Sequence, residues 1–167
     1  MGFDDVRELR IGRSDRGVYA SCDALSMTFS VVSPVGTNHV EDILRLFSRE
    51  WWTKDRSRSD IEQIVAGSTT TVGLVVSGKL VAFARILSDQ CYLAMVLDVI
   101  VDHSCRGQGL GDRLLEVVLD LPDVASANSV ELVCQPDLFA FYKRHGFTAN
   151  VGQSTLMRRT SDPALGS

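Results

Sequence analysis

The chain has 167 residues, a formal net charge of −4 and 45% hydrophobic residues, which fits one globular domain with a proper core. No run of lysines and arginines stands out, so a nucleic-acid-binding surface is not expected. No apolar stretch reaches the roughly 18 residues of a membrane span, and the acidic N-terminus lacks the pattern of a secretory signal. The four cysteines are far apart and form no metal-ligand pair, which favours a reduced cytoplasmic or organelle-matrix protein without a metal.

The apolar patterns predict alternating strands and helices between an N-terminal extension (1–26) and a C-terminal tail (160–167), so that residues 27–159 form a single domain. The extension has at most one short strand, around Val18–Ala20. The predicted elements are, in order, a strand at Met27–Val32, a helix that starts near Asn38, a helix at Ser59–Gly67, a hairpin of Thr70–Val76 and Lys79–Leu87, a strand at Cys91–Val101, a helix at Leu110–Leu121, a strand at Val130–Cys134, a helix at Pro136–Arg144, and strands around Phe147–Ala149 and Thr155–Arg158. Capping-box spacing of Asn38 with Glu41, and of Ser59 with Glu62, supports the first two helices.

Three alternate glycines, Gly107, Gly109 and Gly111, follow a predicted strand and open a helix with an apolar stripe at helical spacing. Glycines leave the backbone N–H groups uncovered, and a helix start carries unpaired donors with a partial positive charge. This combination binds phosphate or pyrophosphate. A P-loop needs a lysine and a hydroxyl residue directly after its last glycine, but Asp112 and Arg113 follow Gly111. The dinucleotide fingerprint needs its third glycine where this chain has Asp112. Neither motif is therefore present.

The spacing that is present, Arg-x-x-Gly-x-Gly at Arg106–Gly111, resembles the acetyl-CoA motif of the GNAT superfamily of N-acetyltransferases. A second match, Phe-Tyr-x-x-x-Gly-Phe at Phe141–Phe147, is similar to the second GNAT motif. The two motifs follow each other in the expected order and at about the expected distance. The resemblance implies an α/β fold with a twisted, mixed and mostly antiparallel sheet, splayed at the acetyl-CoA site and flanked by about four helices.

The resemblance also implies how acetyl-CoA, as co-substrate, is held. Backbone groups of the last strand before the glycines pair with the pantetheine arm, and the amides of the glycine turn hold the pyrophosphate. The residues assigned to acetyl-CoA are Val99, Ile100, Val101, Arg106, Gly107, Gln108, Gly109, Leu110, Gly111, Asp112 and Gln135. Arg106 is either a phosphate ligand or a brace for the turn. Gln135 stands where many relatives carry asparagine, so that contact with the arm is either kept or lost.

Two residues are candidates for catalysis. Tyr142 occupies the position of the tyrosine that lies near the cofactor sulfur in the family, which implies a general acid; a phenol with a pKa of about 10 keeps its proton at neutral pH. The alternative is a packed tyrosine whose hydroxyl is tied to a neighbour. Asp98 is a carboxylate in an otherwise apolar strand, and amino-sugar-phosphate acetyltransferases, which resemble this segment, carry an acid there. It is either the general base for the substrate ammonium or a hydrogen-bonded core carboxylate.

The acceptor pocket of this superfamily is built from the first helices and their loop, which implicates Trp51, Trp52 and Arg56 in substrate binding. Adjacent tryptophans cannot both face the core of a helix, so one is expected to be exposed or to line a pocket; the alternative is that both cap the core. An aromatic wall beside Glu50 or Asp55 suits a cationic amine, whereas Arg56 and its basic neighbours suit a phosphate or carboxylate.

Three functions remain open. The favoured one is an N-acetyltransferase that moves the acetyl group directly to a primary amine of a small molecule. The others are acetylation of protein lysines or N-termini, and a non-catalytic acyl-CoA-binding module. Arylalkylamine acetyltransferases resemble Cys134–Tyr142 but use histidines where this chain has Met95 and Leu97, which argues against an indoleamine. The expected partner is a small-molecule amine, without nucleic acid or membrane, and the protein is expected to be a monomer or a homodimer.

Overall fold

A computed structural model describes residues 28–162 of the chain; the short strand predicted around Val18–Ala20 lies outside them. The helices and strands are β1 (Ser30–Val32), α1 (Val40–Phe47), α2 (Arg58–Gly67), β2 (Thr70–Val76), β3 (Lys79–Ser88), β4 (Leu93–Val101), α3 (Leu110–Leu119), α4 (Pro122–Ala125), β5 (Ser129–Leu132) and α5 (Phe139–Arg144). Single 3-10 turns lie at Thr37–His39, His103–Cys105 and Pro136–Leu138. Within the described range, every helix is too short or too polar to cross a membrane.

The five strands form one sheet in the order β1-β2-β3-β4-β5. Neighbouring strands are antiparallel except β4 and β5, which run parallel. The ladder between β4 and β5 ends at the pair Val96 and Leu132, whereas β4 continues to Val101. Beyond Val96 the side of β4 that faces away from β3 (the open side of β4) has no partner in β5. This mixed sheet, opened beside β4 and flanked by helices, confirms the predicted α/β fold.

Apolar side chains cover both faces of the sheet. On one face, α3 buries Leu114 and its apolar neighbours against strand residues such as Ala84. On the other face, α1 and α2 bury Phe47 and Ile61 beneath Phe83. Each large apolar side chain that becomes fully buried contributes about 1.5–3 kcal/mol. The two clusters therefore fix α3 and the segment between α1 and α2 on opposite faces of the sheet.

Two helix starts differ from the prediction. The capping box of α2 is formed by Ser57 and Asp60, not by Ser59 and Glu62: the Ser57 hydroxyl accepts from the Asp60 N–H at 3.2 Å, and the Asp60 carboxylate accepts from the Ser57 N–H at 2.7 Å. Both pairs have the required spacing, but only the earlier serine has the extended backbone that an N-cap needs. The first helix likewise begins two residues after Asn38, behind a 3-10 turn.

The strands predicted at Phe147–Ala149 and Thr155–Arg158 are wrong, because neither segment forms a strand. The chain instead satisfies backbone groups locally: the Thr148 hydroxyl accepts from the Asn150 N–H, and the Asn150 side chain accepts from the Gly152 N–H, both at 3.1 Å. Such short-range bonds from threonine and asparagine compete with a sheet ladder.

Candidate active site

A cavity of about 560 Å³ opens where β4 and β5 separate. The end of β4, the glycine turn, the start of α3, the segment from Gln135 through α5, and the loop between α1 and α2 (the α1–α2 loop, residues 48–57) form its wall. The predicted site residues that line it are Trp51, Trp52, Val99, Val101, Arg106, Gly107, Gly109, Leu110, Gly111, Asp112, Gln135 and Tyr142. Asp98, Ile100 and Gln108 are not among its lining residues, and Arg56 lines a neighbouring cavity.

The glycine turn leaves open space beside the first turn of α3. Gly107 and Gly109 have φ angles of 74° and 78°, a left-handed conformation that favours glycine. A Cβ atom at either position would meet no atom within 4 Å. Gly109 is the N-cap of α3, and the first N–H groups of a helix point outward without helical partners. The turn therefore suits a pyrophosphate, which the helix dipole also favours.

The open side of β4 lies next to this turn. Val99 and Val101 line the cavity, whereas the Ile100 side chain is 3% exposed and belongs to the core beneath α1. All three residues lie beyond the end of the β4–β5 ladder. An extended ligand arm can therefore add to β4 in the manner of a further strand.

Arg106 is held by the protein itself. Its Nε donates to the carbonyl oxygen of Val101 at 3.0 Å, and a terminal nitrogen pairs with the Glu50 carboxylate. Glu50 also lies 3.1 Å from Nε2 of His103. These contacts join the end of β4 to the α1–α2 loop, as the bracing alternative for Arg106 expects, and the role of Arg106 stays a prediction. Glu50 was not among the assigned site residues; its place beside two tryptophans in the predicted acceptor segment was the available signal.

Asp112, in the first turn of α3, is tied to α5. Nε2 of His145 lies 2.9 Å from its carboxylate, and Arg144 donates to it at 3.1 Å. The hydrogen bond with His145, together with that of Arg144, lowers the pKa of Asp112 although partial burial opposes this. The helix that starts at the glycine turn and the helix that carries Tyr142 are thereby joined.

Tyr142 reaches the cavity from α5. The residue is 7% exposed, and its ring packs edge-on against Phe141 and Phe147 at centroid distances of 4.9 and 5.9 Å. Burial, with a smaller effect of the nearby Cys134, raises the pKa of Tyr142 to about 12. None of the hydrogen bonds among residues 28–162 involves its hydroxyl, which leaves this group available to a ligand in the cavity.

Asp98 is enclosed by two arginines. It is 8% exposed, and its Oδ2 accepts from Arg56 at 3.0 Å and from Nε of Arg85 at 2.5 Å. The hydrogen-bonded core alternative expects such contacts, and the role of Asp98 stays a prediction. Arg85 was missed at the level of sequence, although a lone charge within the apolar strand from Val81 to Leu87 calls for a buried partner of opposite charge.

A second cavity of about 280 Å³ adjoins the first, and both are lined by Trp51 and Trp52. Trp51 is 49% exposed, whereas Trp52 packs partly against the core beneath α1. The remaining lining residues are Thr53, Asp55, Arg56, Asp60 and Asp162. The tryptophan pair therefore forms the wall between the two cavities.

Comparison with known proteins agrees with this geometry. Residues 33–158 match the family model of the acetyltransferase (GNAT) domain. A protein of Pyropia yezoensis described as an uncharacterized N-acetyltransferase is 25% identical over 131 residues, which are 76% of this chain and 75% of the relative. The chloroplastic serotonin N-acetyltransferase 2 of Oryza sativa subsp. japonica is 40% identical over 72 residues, but these cover 42% of this chain and 36% of the rice protein.

A solved structure also shares the fold of this chain. The crystal structure of a GNAT-family acetyltransferase from Xanthomonas campestris superimposes with a TM-score of 0.70 at 30% sequence identity, covering 81% of this chain and 95% of that one. Because the family model spans most of the sequence, the chain belongs to the GNAT family and is an N-acetyltransferase.

Proposed function

We propose that the protein transfers an acetyl group from acetyl-CoA directly to the primary amine of a small molecule. The observation that carries the proposal is that one cavity contains the glycine turn, the open side of β4 and Tyr142. Together these features can hold an anionic carrier, align an extended arm and donate a proton beside it. A non-catalytic acyl-CoA-binding module would need the first two features but not the third.

The residues present fit acetyl-CoA. The open space at Gly107 and Gly109 suits its pyrophosphate, Val99 and Val101 suit its pantetheine arm, and Gln135 lines the same cavity. When bound, acetyl-CoA supplies an acetyl group activated as a thioester. Backbone donors of β4 aimed at the acetyl oxygen would stabilise the negative charge that develops there.

Tyr142 is the proposed proton donor. The amine nitrogen forms the new C–N bond as the C–S bond breaks, the Tyr142 hydroxyl protonates the departing sulfur, and the proton lost by the amine restores the phenol. With a pKa of about 12, the phenol carries its proton at every physiological pH. A thiol has a pKa of about 8.5, so Tyr142 acts first as a hydrogen-bond donor to the developing thiolate and transfers its proton as the amine proton becomes available.

Direct transfer is favoured over an acetylated cysteine. Cys134 is the cysteine beside Tyr142, and burial together with the charge of Asp137 raises the pKa of its thiol. The thiolate, not the thiol, is the nucleophile. A protonated thiol near the reacting centre is therefore a poor acetyl acceptor compared with an uncharged amine.

The second cavity, which we name the acceptor cavity, supports a cationic acceptor. Its acidic lining residues are Asp55, Asp60 and Asp162. The arginines nearby are already paired, since Arg56 donates to Asp98 and Arg58 pairs with Glu62 at 3.0 Å, and Lys54 lines neither cavity. A phosphate or carboxylate on the acceptor would have to displace these pairs, whereas an ammonium group would meet the Asp55 carboxylate and an aromatic wall.

The rice relative is named for serotonin, an arylalkylamine, so this class belongs among the candidate acceptors. Met95 and Leu97 occupy the positions where the arylalkylamine enzymes resembled by this segment carry histidines. If this protein acetylates such an amine, it removes the ammonium proton without those two side chains.

A reducing compartment is also proposed. Cys91, Cys105 and Cys134 are all unbridged in the described part of the chain, as is usual for proteins of the cytosol or an organelle matrix. The rice relative is described as chloroplastic, which is compatible with the second of these locations.

The acceptor is tested by following thiol release from acetyl-CoA with polyamines, arylalkylamines, amino sugars with and without phosphate, and lysine peptides. The highest kcat/KM is expected for a compact cationic amine. A far higher value for a phosphorylated amino sugar or a lysine peptide would contradict the small-amine assignment. Tight acetyl-CoA binding without turnover of any amine would favour the non-catalytic alternative.

A further inference from the structure

The α1–α2 loop is attached to β4 and its continuation near both of its ends. Glu50, near its start, pairs with Arg106 beyond the end of β4, and Arg56, near its end, donates to Asp98 in the middle of β4. The residues between these points include Trp51 and Trp52, which form the wall between the two cavities. The loop thus carries that wall between two ion pairs.

Asp98 lies at an irregularity of β4. The pairing with β3 shifts between Phe83, opposite Ile100, and Arg85, opposite Leu97, so that Asp98 and Val99 together oppose one residue of β3. Asp98 has a φ angle of 52°, a left-handed conformation that residues other than glycine adopt only where their surroundings impose it. Arg85, from the adjacent strand, donates to the Asp98 carboxylate and thereby holds this bulge.

The Asp98 carboxylate also holds Arg56, which packs beside Trp52. Arg56, which donates to Oδ2 of Asp98 at 3.0 Å, places its guanidinium carbon 5.0 Å from the centroid of the Phe47 ring and 5.9 Å from that of Trp52. Trp52 is therefore held through Arg56 by the residue that precedes Val99, which lines the acetyl-CoA cavity.

We propose that Asp98 is a positioning residue, not the general base: it couples the β4 bulge, through Arg56, to the Trp52 wall of the acceptor cavity. The assignment rests on the proposed function. Asp98 is absent from the lining of both cavities, and one of its oxygens accepts from two guanidinium groups. An amine in the acceptor cavity would meet Arg56 and Trp52, not the Asp98 carboxylate.

The kinetic test compares Asp98→Asn and Arg56→Lys with the surface control Arg58→Lys, whose residue pairs with exposed Glu62. Arg56→Lys is expected to raise KM for the amine about tenfold and to leave the Kd of acetyl-CoA within threefold. The double variant is expected to be no worse than Asp98→Asn alone, because both changes break one coupling. The acidic limb of the kcat/KM profile is expected to persist in Asp98→Asn. Loss of that limb, or unaltered kinetics in Arg56→Lys, would overturn the proposal.

A second readout does not depend on turnover. The chain contains two tryptophans, so Trp51→Phe leaves Trp52 as the sole indole. In that background, Asp98→Asn and Arg56→Lys are each expected to increase acrylamide quenching of Trp52 at least twofold, and Arg58→Lys is expected to leave it unchanged. Unchanged quenching in Arg56→Lys overturns the coupling even if Asp98→Asn does not fold. Failure of the wild type to acetylate any amine would instead count against the proposed function and leave this result standing.

Discussion

At neutral pH the hydroxyl of Tyr142 keeps its proton, because burial raises its pKa to about 12. Tyr142→Phe preserves the ring contacts with Phe141 and Phe147 and removes only the hydroxyl. We expect kcat to fall by about 10²–10⁴, the usual loss for a general acid, while the Kd of acetyl-CoA stays the same. Steady-state kinetics and titration calorimetry measure the two quantities.

Tyr92→Phe is the matched control, since Tyr92 is 68% exposed and lines neither cavity; it should alter neither quantity. The raised pKa of Tyr142 also predicts that the pH profile of kcat shows no alkaline decline from this residue below about pH 11. Wild-type turnover in Tyr142→Phe would mean that water protonates the sulfur.

Cys134 gives the second prediction at this scale. Because burial raises the pKa of its thiol, Cys134→Ser is expected to retain kcat within about threefold, the small change left when no covalent step is lost. Cys91→Ser, at an exposed cysteine, controls for unspecific effects. An acetyl group found on Cys134 by mass spectrometry after incubation with acetyl-CoA alone would contradict direct transfer.

At the scale of elements, the sequence predicts correctly the turns whose backbone geometry depends on adjacent residues. The turn at Ser77 and Gly78 joins β2 and β3 with positive φ angles of 50° and 78°, as the two-residue hairpin turn requires. The glycine turn and the start of α3 also follow their pattern. The strand predicted at Phe147–Ala149 is absent although its alternation resembles a strand, because hydrogen bonds to the side chains of Thr148 and Asn150 satisfy the backbone locally.

In the candidate site, the sequence predicts best the positions where backbone groups form the wall of the cavity. Gly107 and Gly109 could be assigned from spacing, since left-handed turns and bare N–H groups require glycine there. The partners of Asp98 could not, because Arg56 lies 42 residues away along the chain. Which arginine reaches a buried carboxylate depends on strand register and on the shift in pairing beside Arg85, and neither is encoded in a local pattern.

The start of α3 carries the next prediction. Gly111 has no positive φ, and a Cβ there would lie 3.5 Å from the Phe141 ring, an ordinary contact. Gly111→Glu should therefore fold while placing a carboxylate at the proposed pyrophosphate site. We expect coenzyme A affinity to fall at least 100-fold and the stabilisation of the protein against heat by acetyl-CoA to vanish.

Gly67→Glu is the matched control for this change. Gly67 is the last residue of α2. Its φ angle does not lie in the left-handed region, and a Cβ atom there would meet no atom within 4 Å. Its variant should bind coenzyme A like the wild type in titration calorimetry. Unchanged affinity in a well-folded Gly111→Glu would show that the anion does not bind at the glycine turn.

At the scale of the whole molecule, Asp102 joins α1 and β3 to the turn that follows β4. Its carboxylate pairs with Arg45 of α1 and accepts from the Ser104 N–H at 3.0 Å, and its own N–H donates to Val81 of β3 at 2.8 Å. Burial of Asp102 opposes its charge, but the hydrogen bonds from Ser104 and Arg45 outweigh this and lower its pKa from 3.8 to about 2.

This lowered pKa makes the stability of the fold depend on pH in a defined window. Because the folded-state pKa of Asp102 lies below 3.8, its charge stabilises the protein above about pH 4, and that contribution of about 2 kcal/mol is lost as the pH falls through 2.

Asp102→Asn is expected to lower the free energy of unfolding at pH 7 by about 3 kcal/mol, as the loss of a buried partner does. The difference from the wild type should then shrink between pH 4 and 2 in urea titrations followed by circular dichroism. Asp120→Asn, at the exposed C-cap of α3, controls for unspecific effects of an aspartate-to-asparagine change. A gap between wild type and Asp102→Asn that stays constant over the same range would mean that ionisation of Asp102 does not stabilise the fold.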